Sequence, residues 1–420
     1  MLNVLRAGKK ATTGWLRASR ERSQRQRLAS LYDPDAGNLD RAQHIREAVE
    51  WLKRAQDSGV DRGVSYGVLF GANFDVSYPE TTGYICQTFV EHALRTGDED
   101  LLRRAIQMGD WEIAVQMPDG AVMGGKVNPA PTPAVFNTGM VLLGWSALIF
   151  RTAEERFRSA AARASEWLLS TQESDGRWLH GNSRFANPSS TLYNVMAAWG
   201  LCEAGVALGE IRYVEAAVRN AEYCLSRQHE NGWLPDCCLT ESVDEPLLHT
   251  LAYAMQGLLG VGTRAGKEDL IGAARKLADA EICIMSPDGQ LPGRQRQDFT
   301  PGARWCCLTG SAQTSAVWSQ LYLLTKDEKY RGAARRVNDY LLAPHDIRNP
   351  DPGLRGGLPG SWPVWGDYGP YQILNWATKF LVDALALEDD ILHDSAANSS
   401  MPHAQSSTNP GAAANEPYKP

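Results

Sequence analysis

QESDGRW, Gln172 to Trp178, decides how the chain is read. It is a polar turn between two apolar-periodic segments, and close relatives of it recur as QDSGV from Gln56, QMPDG from Gln116, QHENG from Gln228 and MSPDG from Met285. The interval is 56 to 60 residues. A turn chemistry that returns at a near-constant spacing marks an internal repeat, and a repeat sets the architecture before any local assignment does.

The segments ahead of the turns align as AQHIREAVEWLKRAQ, LLRRAIQMGDWEIAVQ, FRSAAARASEWLLSTQ, YVEAAVRNAEYCLSRQ, LIGAARKLADAEICIM and YRGAARRVNDYLLAP. Small and apolar residues fall three and four apart in each, which predicts one amphipathic helix written six times. Linkers such as RTGDED, RTAEER, ALGEIR and LTKDEK introduce four of them, with an acidic residue placed to favour a helix N-terminus. After each turn comes an irregular segment and then a second helix, beginning near YPETTGYICQTF, VFNTGMVLLG, SSTLYNVMAAWG, EPLLHTLAYAM, CLTGSAQTSAVW and YQILNWATKF. These are apolar nearly all round, as helices buried on every side are.

Six polar-faced helices alternating with six buried ones predict an all-α fold, an (α/α)6 toroid with the buried helices as its inner ring. An open superhelix of helical hairpins uses similar units. Six copies without a polar capping repeat favour closure. The toroid is expected over residues 38–388. Ahead of it, residues 1–37 form a basic arm, with Arg6, Lys9, Lys10, Arg17, Arg20, Arg22, Arg25 and Arg27 against Glu21. Such an arm suits peripheral contact with an anionic membrane surface, the alternative being a solvated helical extension. Residues 389–420, rich in Ser, Ala, Asn and Pro, are expected to be a disordered tail, with DDILHD as surface charge.

With 420 residues, 43% of them hydrophobic and 22% charged, the chain is long enough for a large core. Its formal net charge of -7 gives no reason to expect a nucleic-acid partner, which needs a basic surface. The eight cysteines sit in apolar runs or as the pairs Cys237-Cys238 and Cys306-Cys307, and read as reduced thiols. No run of about 18 apolar residues is evident to cross a bilayer, and the first residues lack the apolar core of a signal peptide.

The connections are unequal. Outer helices follow inner ones after a few residues, whereas each inner helix is preceded by roughly 15 to 25 residues of loop, longer than ordinary connections. In a toroid these long loops gather at one end, above the N-termini of the inner helices. That mouth, with its positive dipole ends and free N–H groups, suits an anionic or hydroxyl-rich ligand.

QESDGRW matches the Gln-x-x-x-Gly-x-Trp motif of the squalene-cyclase and protein-prenyltransferase toroids, and GGLPGSW at Gly356 to Trp362 echoes it. More specifically, SYPETTGYICQTF, VFNTGMVLLG, EPLLHTLAYAMQGLL and CCLTGSAQTSAVW resemble a bacterial squalene-cyclase-like toroid family of surface-polysaccharide gene clusters. The likeness runs from about Ala48 to Leu387. It implies a cytoplasmic six-hairpin scaffold in a glycan context, and it supplies no catalytic assignment.

Several chemistries compete for this scaffold. Terpenoid cyclisation of the class II kind needs Asp-x-Asp-Asp, which the sequence lacks. A lanthionine-cyclase-like or prenyltransferase-like zinc site would draw on RWCCLTG, PDCCL and His249, but the Cys-His-Gly block is missing, so neither metal nor cofactor is expected. A glycan reading accounts for more. Tyr66, Tyr78, Tyr193, Tyr253, Trp305, Trp365 and Tyr368 offer rings on which sugars stack. Asp75, Glu80, Asp236, Glu241, Glu245, Asp298 and Asp367 offer acids, and Lys126, Arg184, Arg294, Arg296 and Arg304 would hold uronate carboxylates.

Catalytic roles are expected of Glu80 and Tyr84, four residues apart on one helix face, and of His249, a lone imidazole in an apolar helix with Tyr253 at i+4. Asn137, Asn194, Gln313 and Asn375 hold early inner-helix positions and are expected to touch substrate, as are Tyr193, Asp236, Tyr253, Arg304, Trp305 and Trp365. The expected activity is acid/base chemistry on an acidic, uronate-containing glycan, either by hydrolysis or by epimerisation or elimination. A non-catalytic glycan-binding or assembly protein would use the same pocket.

Overall fold

The computed structural model describes residues 30, 32, 40–127, 130–181, 192–239 and 245–399, with side chains as far as Leu392. Arg184, Glu241, residues 1–29 and residues 400–420 lie outside the described residues. The helices are α1 (Arg41–Asp57), α2 (Pro79–Thr96), α3 (Glu99–Val115), α4 (Val135–Thr152), α5 (Glu155–Thr171), α6 (Val195–Leu208), α7 (Ile211–Arg227), α8 (Leu248–Ala265), α9 (Glu268–Ile284), α10 (Leu308–Thr325), α11 (Glu328–Leu342) and α12 (Asn375–Ser399). Even-numbered helices form the inner ring. Each packs on the next, and α12 returns to pack on α1 and α2, which closes the (α/α)6 toroid.

The repeated turn holds the outer ring together. Gln172 Nε2 donates to Gly176 O of its own turn at 3.1 Å and to Ala216 O of the next outer helix at 2.9 Å. Gln116 and Gln228 repeat this on Gly120 and Ala160, and on Gly232 and Ala273. The glycine is demanded twice over, since Gly176 has φ +91° and a Cβ there would stand 2.5 Å from Arg219 O. In GGLPGSW the turn glycine is Gly356, with φ +79° and a Cβ that would meet Glu47 O of α1, so a sixth turn closes the ring, but four residues ahead of the Gly360 that the motif register picks out. Trp178 packs back with its Nε1 donating to Leu168 O at 2.9 Å.

The acidic linkers do not all cap alike. Asp98 and Asp327 accept from Asp100 N and Lys329 N, whereas Glu154 and Glu210 make no side-chain cap, the longer side chain overshooting its own backbone. Between inner helices the spacing is set by glycine. A Cβ on Gly139 of α4 would lie 2.3 Å from Ala197 Cα of α6, and one on Gly200 would lie 1.9 Å from Gly139 O.

Two boundaries and one helix differ from expectation. Tyr32, assigned to the arm, is buried against Phe70 at 5.3 Å between ring centroids; its hydroxyl donates to Pro344 O and accepts from Asp346 N. The toroid therefore draws on chain ahead of residue 38. At the other end α12 runs on to Ser399, so DDILHD is helical rather than part of a tail. Finally, α4 is long and apolar enough by length and composition to cross a membrane, contrary to the sequence reading, but most of it is buried in the inner ring.

Among the described residues, two small antiparallel pairs appear that helical periodicity does not signal. Strand β1 (Gly67–Leu69) pairs with β4 (Gln372–Leu374), and β2 (Cys306–Cys307) with β3 (Ser361–Trp362). Both join loops of the mouth. The β1–β4 pair ties the first long loop to the last.

Candidate active site

A cavity of about 570 Å³ opens where the long loops meet. Its walls come from the loop before α2 (Tyr66 to Leu69, Asp75, Tyr78), the loop before α4 (Gly125, Lys126), and the last loop (Tyr368, Gln372). The remainder comes from first turns of inner helices: Glu80, Phe136, Asn137, His249, Thr250 and Trp376, with Tyr193, Leu239 and Tyr253 between them. An inner helix is apolar along its length because neighbours surround it. Only its first turn reaches the open end, and there polar groups find water or ligand.

Aromatic rings brace one another around the cavity. Tyr66 meets Trp376 edge-on at 4.8 Å, Phe136 meets Tyr253 at 4.8 Å and Tyr193 at 5.5 Å, and Trp376 Nε1 donates to the Tyr368 hydroxyl at 2.8 Å. Lys126 Nζ lies 4.2 Å from the Tyr66 ring centroid and pairs with Asp75 at the half-exposed rim. Asn137 donates through Nδ2 to Met123 O at 2.9 Å, leaving Oδ1 buried without a protein partner.

Two titratable groups stand out. Glu80 follows Pro79 at the start of α2 and accepts a hydrogen bond from the Tyr78 hydroxyl at 2.8 Å. Enclosure by protein raises its carboxyl to about 7, against the opposing pull of the Tyr78 bond. His249, in the first turn of α8, is 5% exposed, with Tyr253 at 4.3 Å and Tyr368 at 5.3 Å between ring centroids. Burial lowers its imidazole to about 4, against a 2.5 Å hydrogen bond between Nδ1 and Gln313 Oε1. Near neutrality the cavity wall thus carries a carboxyl that is still partly protonated and an imidazole that is neutral, with one ring nitrogen bare.

Of the catalytic and substrate-binding residues expected from sequence, Glu80, Asn137, Tyr193, His249 and Tyr253 line this cavity together, and so do the ring, acid and base candidates Tyr66, Asp75, Tyr78, Lys126 and Tyr368. Tyr84 does not. It is fully buried behind Tyr253, the two hydroxyls 3.5 Å apart, with its ring against Phe380 at 5.5 Å. One turn below Glu80 the face is already floor. Gln313 is also buried, behind His249 rather than in contact with the cavity. Asn375 fastens the first loop, its Nδ2 donating to Ser65 O and Thr81 Oγ1, and it is Trp376, one residue on, that faces inward. Asn194 is buried at the end of the turn Leu192–Asn194, outside the lining set.

The loop residues fare differently. Asp236 is exposed at φ +54° with Arg227 at 3.6 Å, Arg304 is exposed, Trp365 is 61% exposed, and Trp305 is half-buried over Gly293. None of them lines the cavity. Arg294 and Arg296 are engaged by Asp367 and Glu245. Phe136, Thr250 and Trp376 were reachable from sequence, each adjacent to a residue chosen there. Leu69, Leu239 and Gln372 lie on loops with no such signal.

Cys307 is buried beside this site and its thiol is pushed up to about 12 by burial, the state of an inert thiol. Among the described residues no three His, Cys, Asp or Glu side chains converge as metal ligands would.

No sequence family matches the chain, and no curated protein matches it by sequence. Its fold does find relatives. An unsaturated glucuronyl hydrolase specific for heparin superposes with a TM-score of 0.66 at 14% identity, over 85% of this chain and 99% of that one. Cellobiose 2-epimerase from Bacillus thermoamylovorans gives 0.67 at 11%, over 82% and 97%. A D-mannose isomerase gives 0.65 at 14%, over 86% and 100%. At such identities the likeness speaks for the fold, and the chain is an (α/α)6 toroid of the six-hairpin kind that these enzymes share.

Proposed function

We propose that the chain is a carbohydrate-active enzyme that moves protons on a sugar unit, uronate-containing or neutral, held in the mouth cavity. The observation that carries this is the pairing of Glu80, raised to about 7, with His249, lowered to about 4, on one aromatic-walled cavity. Environments that hold a carboxyl protonated and an imidazole bare create an acid and a base at the same pH. Strongly shifted titratable groups gathered in a cleft are a mark of functional sites, and an acid beside a base points to proton transfer. The toroid relatives, which by their names act on glucuronyl and other sugar substrates, support the same reading.

Proton transfer beside a carbonyl or carboxyl group is preferred here over two-carboxylate hydrolysis. The other carboxylate on the lining, Asp75, is held by Lys126 at the rim. In the step envisaged, His249 takes a proton from the carbon next to the carbonyl. The C–H electron pair passes toward the carbonyl oxygen, and Glu80 gives that oxygen its proton. The aromatic walls stack the ring.

The test is incubation of purified protein with a panel of reducing disaccharides and of uronate oligosaccharides, saturated and unsaturated, read by NMR in deuterated water. Deuterium entering a sugar C–H position, lost in Glu80→Gln, supports the reading. New reducing ends without such exchange would replace it with hydrolysis.

A further inference from the structure

His249 does not stand alone on its helix. Tyr253 and Gln256 follow it at i+4 and i+7 on α8, the same face. Between His249 and Gln256 reaches Gln313, from α10. Its Oε1 meets His249 Nδ1 at 2.5 Å while its Nε2 donates to Gln256 Oε1 at 2.8 Å. All three side chains are buried, at 5%, 8% and 0% exposure for His249, Gln256 and Gln313. The titratable neighbours of the imidazole are Tyr253 on its own helix, Tyr368 from the last loop and Cys307 ahead of α10.

The consequence is a matter of donors and acceptors. With its amide nitrogen committed to Gln256, Gln313 presents only a carbonyl oxygen to the imidazole, so the Nδ1 facing it carries the proton. A neutral ring has one N–H, and Nε2 is then left with its lone pair. We propose that Gln313 and Gln256 are positioning residues that lock His249 in the Nδ1–H tautomer, making Nε2 the proton-accepting atom of the cavity. This rests on the acid/base reading above for its role in turnover, but the tautomer itself is a property of the resting protein. It also gives Gln313 a different task from the substrate contact expected from sequence. Gln256, which faces no ligand, becomes part of the same device.

The experiment reads the tautomer directly. Protein labelled with 15N-histidine is observed at neutral pH through two-bond couplings, with the His249 signals assigned by their loss in His249→Ala. The expected pattern is a protonated Nδ1 and a bare Nε2. Gln313→Leu and Gln256→Leu are expected to mix the tautomers, while Gln313→Glu, whose carboxylate still accepts from Nδ1–H, keeps the pattern. If turnover of a sugar is found, Gln313→Leu lowers kcat by at least about tenfold with KM little changed, and Gln313→Glu restores part of it. A wild-type His249 carrying its proton on Nε2, or tautomers unmoved in both leucine variants, overturns the proposal whether or not sugar is turned over. The expected spectrum without turnover of any sugar leaves the lock standing and removes the enzymatic reading instead.

Discussion

The Tyr78 hydroxyl donates to Glu80 Oε2 across 2.8 Å, so the one carboxyl at the start of α2 is held by the residue that caps its helix. The bond favours the charged form, and burial, the larger effect, favours the neutral one. Tyr78→Phe removes only the first. The alkaline limb of the pH profile, where Glu80 loses its proton, is expected to move above the wild-type position near 7, with little change in the acid limb. A limb that stays in place in this variant would assign it to another group.

Tyr84 stands behind Tyr253 with its hydroxyl 3.5 Å from that of its neighbour, too far for a strong hydrogen bond and out of the cavity. Tyr84→Phe is therefore expected to keep kcat/KM within about threefold of wild type, where Glu80→Gln loses about a hundredfold or more. Steady-state kinetics on the two variants checks the contrast. Equal losses would return Tyr84 to the chemistry.

What was legible in the sequence follows from periodicity. The Gln-Asp-Gly turns gave the repeat, and the phase of the inner helices placed Glu80, Asn137 and His249 at the open end, because a first turn has a fixed position once the toroid is known. Tyr84 was lost by depth, since one further turn of α2 passes from wall to floor. Asn375 and Trp376 show the cost of a one-residue error, about 100° around a helix. Asp236, Arg304, Trp305 and Trp365 sit on loops whose path is set by pairings such as β1–β4 and β2–β3, between segments far apart in sequence. No local pattern encodes those.

The inner ring depends on glycine. Gly139→Ala puts a methyl 2.3 Å from Ala197 Cα, against backbone that has no room to retreat. A loss of about 1–3 kcal/mol or more in stability is expected from such overpacking. Gly97→Ala has open space around its Cβ but a φ of +73°, so it tests backbone strain alone and is expected to cost less, about 1 kcal/mol. Urea unfolding midpoints of the two variants check the order.

Glu281 of α9 is fully buried, accepts from Gln295 Nε2 at 2.8 Å, and keeps Oε1 without a partner. Burial raises it to about 8, whereas the unfolded chain releases this proton at about 4.3. Between those values the native state binds more protons than the unfolded one, so stability falls as pH rises through the window, by on the order of a few kcal/mol. Glu281→Gln, neutral at every pH, is expected to show a shallower fall from pH 5 to 8 in thermal unfolding. An unchanged slope would mean that the carboxyl is ionised in place.

The pH dependence of kcat/KM for a sugar turned over by the wild type reports the free enzyme's acid and base, and so decides whether Glu80 and His249 hold those roles. His249 must be neutral, which holds above about 4, and Glu80 must be protonated, which holds below about 7. The account requires a bell with its maximum between those limits, and loss of turnover in Glu80→Gln. Activity that climbs through pH 7 and beyond, or that survives in Glu80→Gln, would contradict it.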